Sequence, residues 1–424
     1  LVQGGIKVCF GELYNLFYHI FAGINQKMFD IHRHISQHLT ALKINGNYRH
    51  FLHQVKDDAG NPFIKYFKDG TWVKAVNYCS NDYLGMSTHR EVIQAFVQSG
   101  SKYGVSSGGT RNISGTTNAH ISLEKTLSQW HGKEAALLFG SAYMANLATL
   151  QTLGRRIPEL IFFSDEKNHA SLIEGIRSAG NKKFVFRHND IGDLEYQISK
   201  ADPYAPKIVV FESIYSMNGH VAPVAEIIEL AQKYKAMTYV DEVHAVGMYG
   251  VKNAGYSFKD LAAIKPDIIN GTLSKAIGTF GGYIASSAEV VDFVRSFGSG
   301  FIFTTSLPPA VCNAAEASIE LIKKDKERVH KMKTMVHLFR NLLTEEGIPF
   351  TFNQSHITPI KVGNPEKCKS IADQLLRDFA IYIQPINYPT VPLGEECLRV
   401  IITSAHNEDQ IYHLVQSLKK CIGG

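Results

Sequence analysis

Short apolar runs alternate with longer stretches of helical period through most of this chain. The runs at 135–139, 160–163, 207–211, 238–240 and 268–269 are rich in β-branched and aromatic residues and read as buried strands. Between them, apolar positions recur at helical spacing. Alternation of this kind from about Cys79 to Ser306 predicts an α/β fold, a mostly parallel sheet covered by helices on both faces. Upstream, Phe29, Ile31, Ile35, Leu39 and Leu42 predict one helix over 28–42, followed by a turn at Asn45-Gly46-Asn47 and a hairpin around Asp69-Gly70. After Leu307-Pro308-Pro309 the texture changes to a long lysine-bearing helical segment, about 310–346, and then to a mixed α+β stretch. The expected division is therefore an N-terminal extension (1–27), a helix and hairpin segment (28–78), a large domain (79–309) and a smaller C-terminal domain (310–424).

Composition narrows the class. The 424 residues are 45% hydrophobic and 20% charged, enough for a large core and against disorder. The net charge of +5 is spread along the chain with no basic stripe and no interleaved aromatics, so nucleic-acid binding is not expected. The six cysteines lie far apart without a C-x-x-C pair, so neither a metal site nor a disulfide framework is expected. No run reaches the roughly 18 apolar residues of a membrane span. The nearest, 8–24, is broken by Glu12, Asn15 and His19. Residues 1–27 precede the first methionine, Met28, and carry only Lys7 before Lys27, which reads as an extension rather than a targeting peptide.

Two strings carry most of the chemistry. Asp241-Glu242-Val243-His244 follows the apolar run 236–240, and Thr272-Leu273-Ser274-Lys275 follows 267–270. Ligands of open α/β sheets bind at the carboxyl ends of strands. A carboxylate, an imidazole and an amine are thus expected in one crevice. That set suits pyridoxal phosphate, which needs an amine for its Schiff base and an acid against its pyridine nitrogen. Gly271, Gly278, Gly281 and Gly282 flank Lys275 and read as a small-residue loop that lets a flat group approach the backbone. Ser141-Ala142-Tyr143, between a strand and a helix, fits either an ordinary turn or an anion site of backbone N–H groups. Asn168-His169-Ala170-Ser171 offers an imidazole for a ring face. Residues 106–117, polar and glycine-rich, read as a substrate-lining loop rather than a packing element.

Together, the stretches 79–86, 107–117, 131–136, 168–171, 241–250, 301–309 and 384–387 resemble the α-oxoamine synthase family of fold-type I pyridoxal-phosphate enzymes, over about 48–418. Thr110–Thr116 and Tyr388-Pro389-Thr390-Val391-Pro392 point to the branch that condenses glycine with succinyl-CoA rather than to sister branches with acetyl or long acyl donors. The resemblance implies that Lys275 bonds the cofactor and removes a glycine proton. Asp241 would face the pyridine nitrogen, His169 the ring, and His244 with Ser216 the phenolic oxygen, with Tyr83 near the cofactor. It gives the phosphate to Ser141, Ala142, Tyr143, Thr272 and the neighbouring subunit's copy of Thr304. Arg399 would take the glycine carboxylate, Arg49 and Thr390 the succinyl carboxylate, and Asn81, Thr110 and Asn112 the acyl pocket, with Ser164 and Lys183 also on the substrate side. It further implies a homodimer with its site at the subunit interface. The missing Cys-Pro motif and the lack of a long C-terminal extension favour a bacterial cytoplasmic enzyme over a mitochondrial one. Around Arg399 the sequence Val400-Ile401-Ile402 departs from the expected aromatic and prolines.

Overall fold

The structure, a computed structural model, describes residues 30–58, 60–258 and 265–423. The extension 1–27, with Cys9 and the apolar run 8–24, lies outside the described residues. Two compact units divide the chain at Phe51. In the first, Asp30 accepts from the His32 and Arg33 amides and caps the helix Ile31–Ile44, which buries none of its side chains.

The second unit begins with a small sheet of β1 (Gln54–Lys56), β2 (Phe63–Lys68) and β3 (Thr71–Asn77). The expected hairpin turn is present: Asp69 and Gly70 both have positive φ, 48° and 81°, as a tight two-residue turn requires.

The central sheet is built from β4 (Ala135–Phe139), β5 (Ile161–Asp165), β6 (Lys183–Phe186), β7 (Lys207–Glu212), β8 (Met237–Asp241), β9 (Ile268–Thr272) and β10 (Gly282–Ser286). Their order is β4-β10-β9-β8-β7-β5-β6. Only β10 runs antiparallel, against both β4 and β9. Alternate residues serve opposite faces. Ile208, Val210 and Tyr239 join one core, under the helices Ala142–Arg156 and Ala170–Ala179. Val209, Phe211 and Val240 join the other, under Ile191–Ser199 and Val224–Lys233. A strand buried on both sides reads as an unbroken apolar run, which is why these strands are visible in sequence.

The long helix expected over 310–346 is in fact two, Pro309–Lys324 and Lys326–Glu345. Asp325 adopts extended geometry, ends the first, and caps the second by accepting from the Arg328 amide. Beyond them β11 (Ile357–Lys361), β13 (Pro385–Ile386) and β14 (Cys397–Ile401) form an antiparallel sheet in the smaller C-terminal domain, and β12 (Ile381–Tyr382) joins β3 in parallel. Val400, Ile401 and Ile402 are fully buried at 0% exposure, so the departure near Arg399 is taken up by core packing.

Candidate active site

The carboxyl ends of β8 and β9 open into a cleft of about 290 Å³. Lys275, Asp241, His169, His244 and Arg399 all line it, as do Ser141, Ala142, Tyr143, Thr272, Asn81 and Ser216.

Asp241 ends β8 and is 2% exposed. Its Oδ2 accepts from Asn146 Nδ2 at 2.7 Å and Asn270 Nδ2 at 3.1 Å, and its Oδ1 from the Val243 amide at 3.0 Å. Three N–H donors thus converge on this one carboxyl group. Lys275 stands on the loop after β9, with no carboxylate within ion-pair distance among the described residues. Burial, only partly opposed by Asp241, lowers its amine to about 8, and Arg399 adds to the lowering. An amine forms a Schiff base only when neutral, so capture of pyridoxal phosphate by cofactor-free protein should accelerate as pH rises and level off above about 8. Stopped-flow absorbance checks this, and a rate that keeps climbing well past that pH would contradict the lowered amine.

His169 caps the helix Ala170–Ala179, its Nδ1 meeting Ser171 Oγ at 2.8 Å. Burial lowers its pKa despite the pull of Asp241, so the ring is neutral at neutral pH. His244 Nδ1 meets the Tyr83 hydroxyl at 2.7 Å, and burial holds this histidine well below its ordinary range. Tyr83 is completely buried and its phenol is pushed up to about 12. Arg399 Nε donates to the Ser216 carbonyl at 2.6 Å and Nη1 to Asn81 Oδ1 at 3.3 Å. Its Nη2 is buried without a partner, a donor left for an anionic ligand.

Opposite Lys275, Ser141 caps the helix Ala142–Arg156 by accepting from the Met144 amide at 3.1 Å. The amides of Ala142 and Tyr143 have no intrahelical carbonyl to bond and form an anion site at the positive end of that helix. The glycines near Lys275 let neighbouring protein segments approach closely. A Cβ on Gly282 would lie 2.1 Å from Ala142 N, one on Gly271 2.2 Å from the Tyr283 ring, and one on Gly278 2.4 Å from Ser87 N. Gly282 thus lets β10 press against the Ser141–Ala142 turn. Gly282→Ala should cost about 1–3 kcal/mol of stability by overpacking and weaken cofactor affinity as well. A denaturation midpoint and a pyridoxal-phosphate titration check both effects.

Residues 106–117 are more tightly packed than a plain polar loop. Arg111 forms a two-pronged pair with Glu124, at 2.7 and 3.0 Å, and Ser306 Oγ donates to the carbonyls of Gly109 and Gly115. Several expected residues stand outside the Lys275 cleft. Thr110 Oγ1 donates to Asn112 Oδ1, and Asn112 lines a separate cavity with Arg111 and Phe301. Thr304 is exposed. Ser164 is buried in β5, accepting from Asn168, and Lys183 is exposed on the edge strand β6. Thr390 lines a neighbouring cavity of about 880 Å³ that shares Ser216 and Met217 with the cleft. Arg49 belongs to the first unit and is exposed there. Sequence reading missed Asn146, Asn270 and Glu212, and took Ser171 only as part of the 168–171 string. Asn270 directly precedes the Gly271-Thr272 string and could have been noticed, whereas Asn146, inside a helix, carries no local signal.

The family described as aminotransferase class I and II matches residues 73–418. A 5-aminolevulinate synthase from Paracoccus denitrificans is 48% identical over 387 residues, covering 91% of this chain and 95% of that protein. The chain belongs to the 5-aminolevulinate synthase family. A second member, from Rhizobium meliloti, is 47% identical over 390 residues, with 92% and 96% covered. Among solved structures, a Lys-to-Ala variant of serine palmitoyltransferase from S. paucimobilis with a bound pyridoxal-phosphate–myriocin aldimine superimposes with a TM-score of 0.83 at 26% identity, covering 93% of this chain and 98% of that one. The architecture is that of a fold-type I pyridoxal-phosphate transferase.

Proposed function

We propose that this chain condenses glycine with succinyl-CoA to give 5-aminolevulinate, CoA and carbon dioxide, with pyridoxal phosphate as cofactor. The observation that carries the reading is the cleft itself, in which a depressed lysine, a three-donor aspartate, a free helix N-terminus and an unpartnered buried guanidinium nitrogen converge. These residues fit the cofactor: Lys275 to bond it, Asp241 for its ring nitrogen, His169 for its face, and Ser141, Ala142, Tyr143 and Thr272 for its phosphate. When bound, it supplies an electron sink for the carbanion next to the amino nitrogen. Arg399 Nη2 binds the glycine carboxylate and orients the α-carbon. Lys275 Nζ takes one α-proton and carries it within the cleft. Neutral His169 and His244 add no positive charge to compete for the substrate.

Thr390, in the cavity that adjoins the cleft, is assigned to the succinyl carboxylate, and Asn81 lines the cleft itself; a role for Arg49 rests on the sequence resemblance alone. Thr304, Thr110 and Asn112 lie away from this chain's own cleft, as residues offered to a second copy would, which favours a homodimer with shared sites. Among the described residues no helix is long and apolar enough to cross a membrane.

An acyl-CoA panel tests the reading. With glycine present, CoA release should be fastest with succinyl-CoA and weak with acetyl-CoA or palmitoyl-CoA. Full activity with either of those and none with succinyl-CoA would overturn it.

A further inference from the structure

Two carboxyl groups stand side by side at the end of the sheet. Glu212 ends β7 in register with Asp241 on β8, and Asn270 on β9 continues the row. Neighbouring strands lie about 4.8 Å apart and register partners point to the same face. Both carboxyl groups accordingly line the Lys275 cleft. Glu212 is 1% exposed and Asp241 2%. Two carboxyl groups brought together at buried positions repel one another when both are charged, which favours a proton on one of them.

Hydrogen bonding decides which. Asp241 receives three N–H donors, from Asn146, Asn270 and Val243. Glu212 receives one, the His169 amide, at 2.6 Å on Oε1. The charged and titratable groups facing Glu212 are Asp241 on β8, Asp165 on β5, Tyr215 after β7, and His169 with Lys275 across the cleft. Burial first, and Asp241 second, push its carboxyl well above the ordinary range, against the smaller opposing pulls of the His169 amide and Lys275.

We propose that Glu212 is held as a neutral carboxylic acid, a positioning residue that anchors the His169 backbone and leaves Asp241 the single negative charge of the row. The anchor fixes the cap of the helix Ala170–Ala179, and with it the imidazole that faces the cofactor. The missing charge matters equally. An ionised Glu212 would strengthen the hold of Lys275 on its proton and oppose entry of the glycine carboxylate toward Arg399. The inference rests on the assignment of this cleft to pyridoxal phosphate and glycine.

Infrared spectra test it without turnover. The holoenzyme near neutral pH should show a protonated-carboxyl band, shifted in D2O, that is lost in Glu212→Gln. No difference band would overturn the proposal. This readout does not depend on the acyl donor, so failure of succinyl-CoA as substrate would leave it intact and the two outcomes separable. In kinetics, Glu212→Gln keeps an acceptor for the His169 amide and no charge, so kcat/KM for glycine should stay within about twofold, whereas Glu212→Ala should lose about tenfold or more. A Gln variant as impaired as the Ala variant would show that an ionised carboxylate is required. Should Glu212→Ala not fold, the band and the Gln comparison decide.

Discussion

Lys275→Ala should reduce CoA release from glycine and succinyl-CoA by about 10⁴-fold or more, since on the proposed assignment it removes both the cofactor's anchor and the proton carrier. The fold should survive. Lys275 has no carboxylate ion-pair partner among the described residues to be left unpaired. The sign of the stability change follows from its lowered amine. Below about pH 8 the native state holds a proton that burial disfavours, while the unfolded chain holds it freely up to its ordinary 10.5. The wild-type lysine therefore weakens the native state most below pH 8, and the penalty fades as pH rises to 10.5. The Ala variant should melt no lower than wild type at neutral pH. It should still bind pyridoxal phosphate non-covalently through the helix N-terminus and Asp241. Lys275→Arg should not rescue turnover, because a guanidinium does not give up its proton. A variant that releases CoA within tenfold of wild type would exclude Lys275 as the proton carrier.

Asp241→Asn should lower kcat by about 10³-fold, the scale on which losing a preorganised charge acts in a dry site. Here the cost has two parts. The negative charge proposed to face the ring nitrogen disappears, and an amide NH2 is forced among three donors that the carboxylate satisfied, those of Asn146, Asn270 and Val243. At least one buried N–H then loses its acceptor, which should lower stability by about 1–3 kcal/mol. Asn146→Leu separates the parts in kcat, because it keeps the charge and removes one donor to it, although it also takes the acceptor of the buried Tyr239 hydroxyl and so lowers stability. Its expected loss in kcat is about tenfold. Steady-state CoA release and thermal denaturation of the two variants check this. Equal kcat losses would mean that the hydrogen bond, not the charge, carries the effect.

The difference between Asp241 and Asn146 also shows what sequence can and cannot reveal. Asp241 and Lys275 were legible because strand ends and small-residue turns mark them locally. The sheet was legible because its strands bury both faces and read as apolar runs. Asn146 lies 95 positions from Asp241 and gains its meaning only when the helix Ala142–Arg156 packs over β8. Glu212 hides for a related reason, since only strand register places it beside Asp241. The break at Asp325 was missed because helical period continues on both sides of it, and the side-chain cap that ends the pattern spans three residues. Sequence marks the glycines near Lys275 as a small-residue loop, but which protein segments press on them, Tyr283, Ser87 and the Ser141–Ala142 turn, emerges only from the fold.

Exchange of the glycine α-hydrogens with D2O, followed by NMR on holoenzyme without acyl-CoA, tests the proton carrier most directly. The account predicts exchange by wild type and its loss in Lys275→Ala that retains pyridoxal phosphate. Exchange at the wild-type rate in that variant would contradict it.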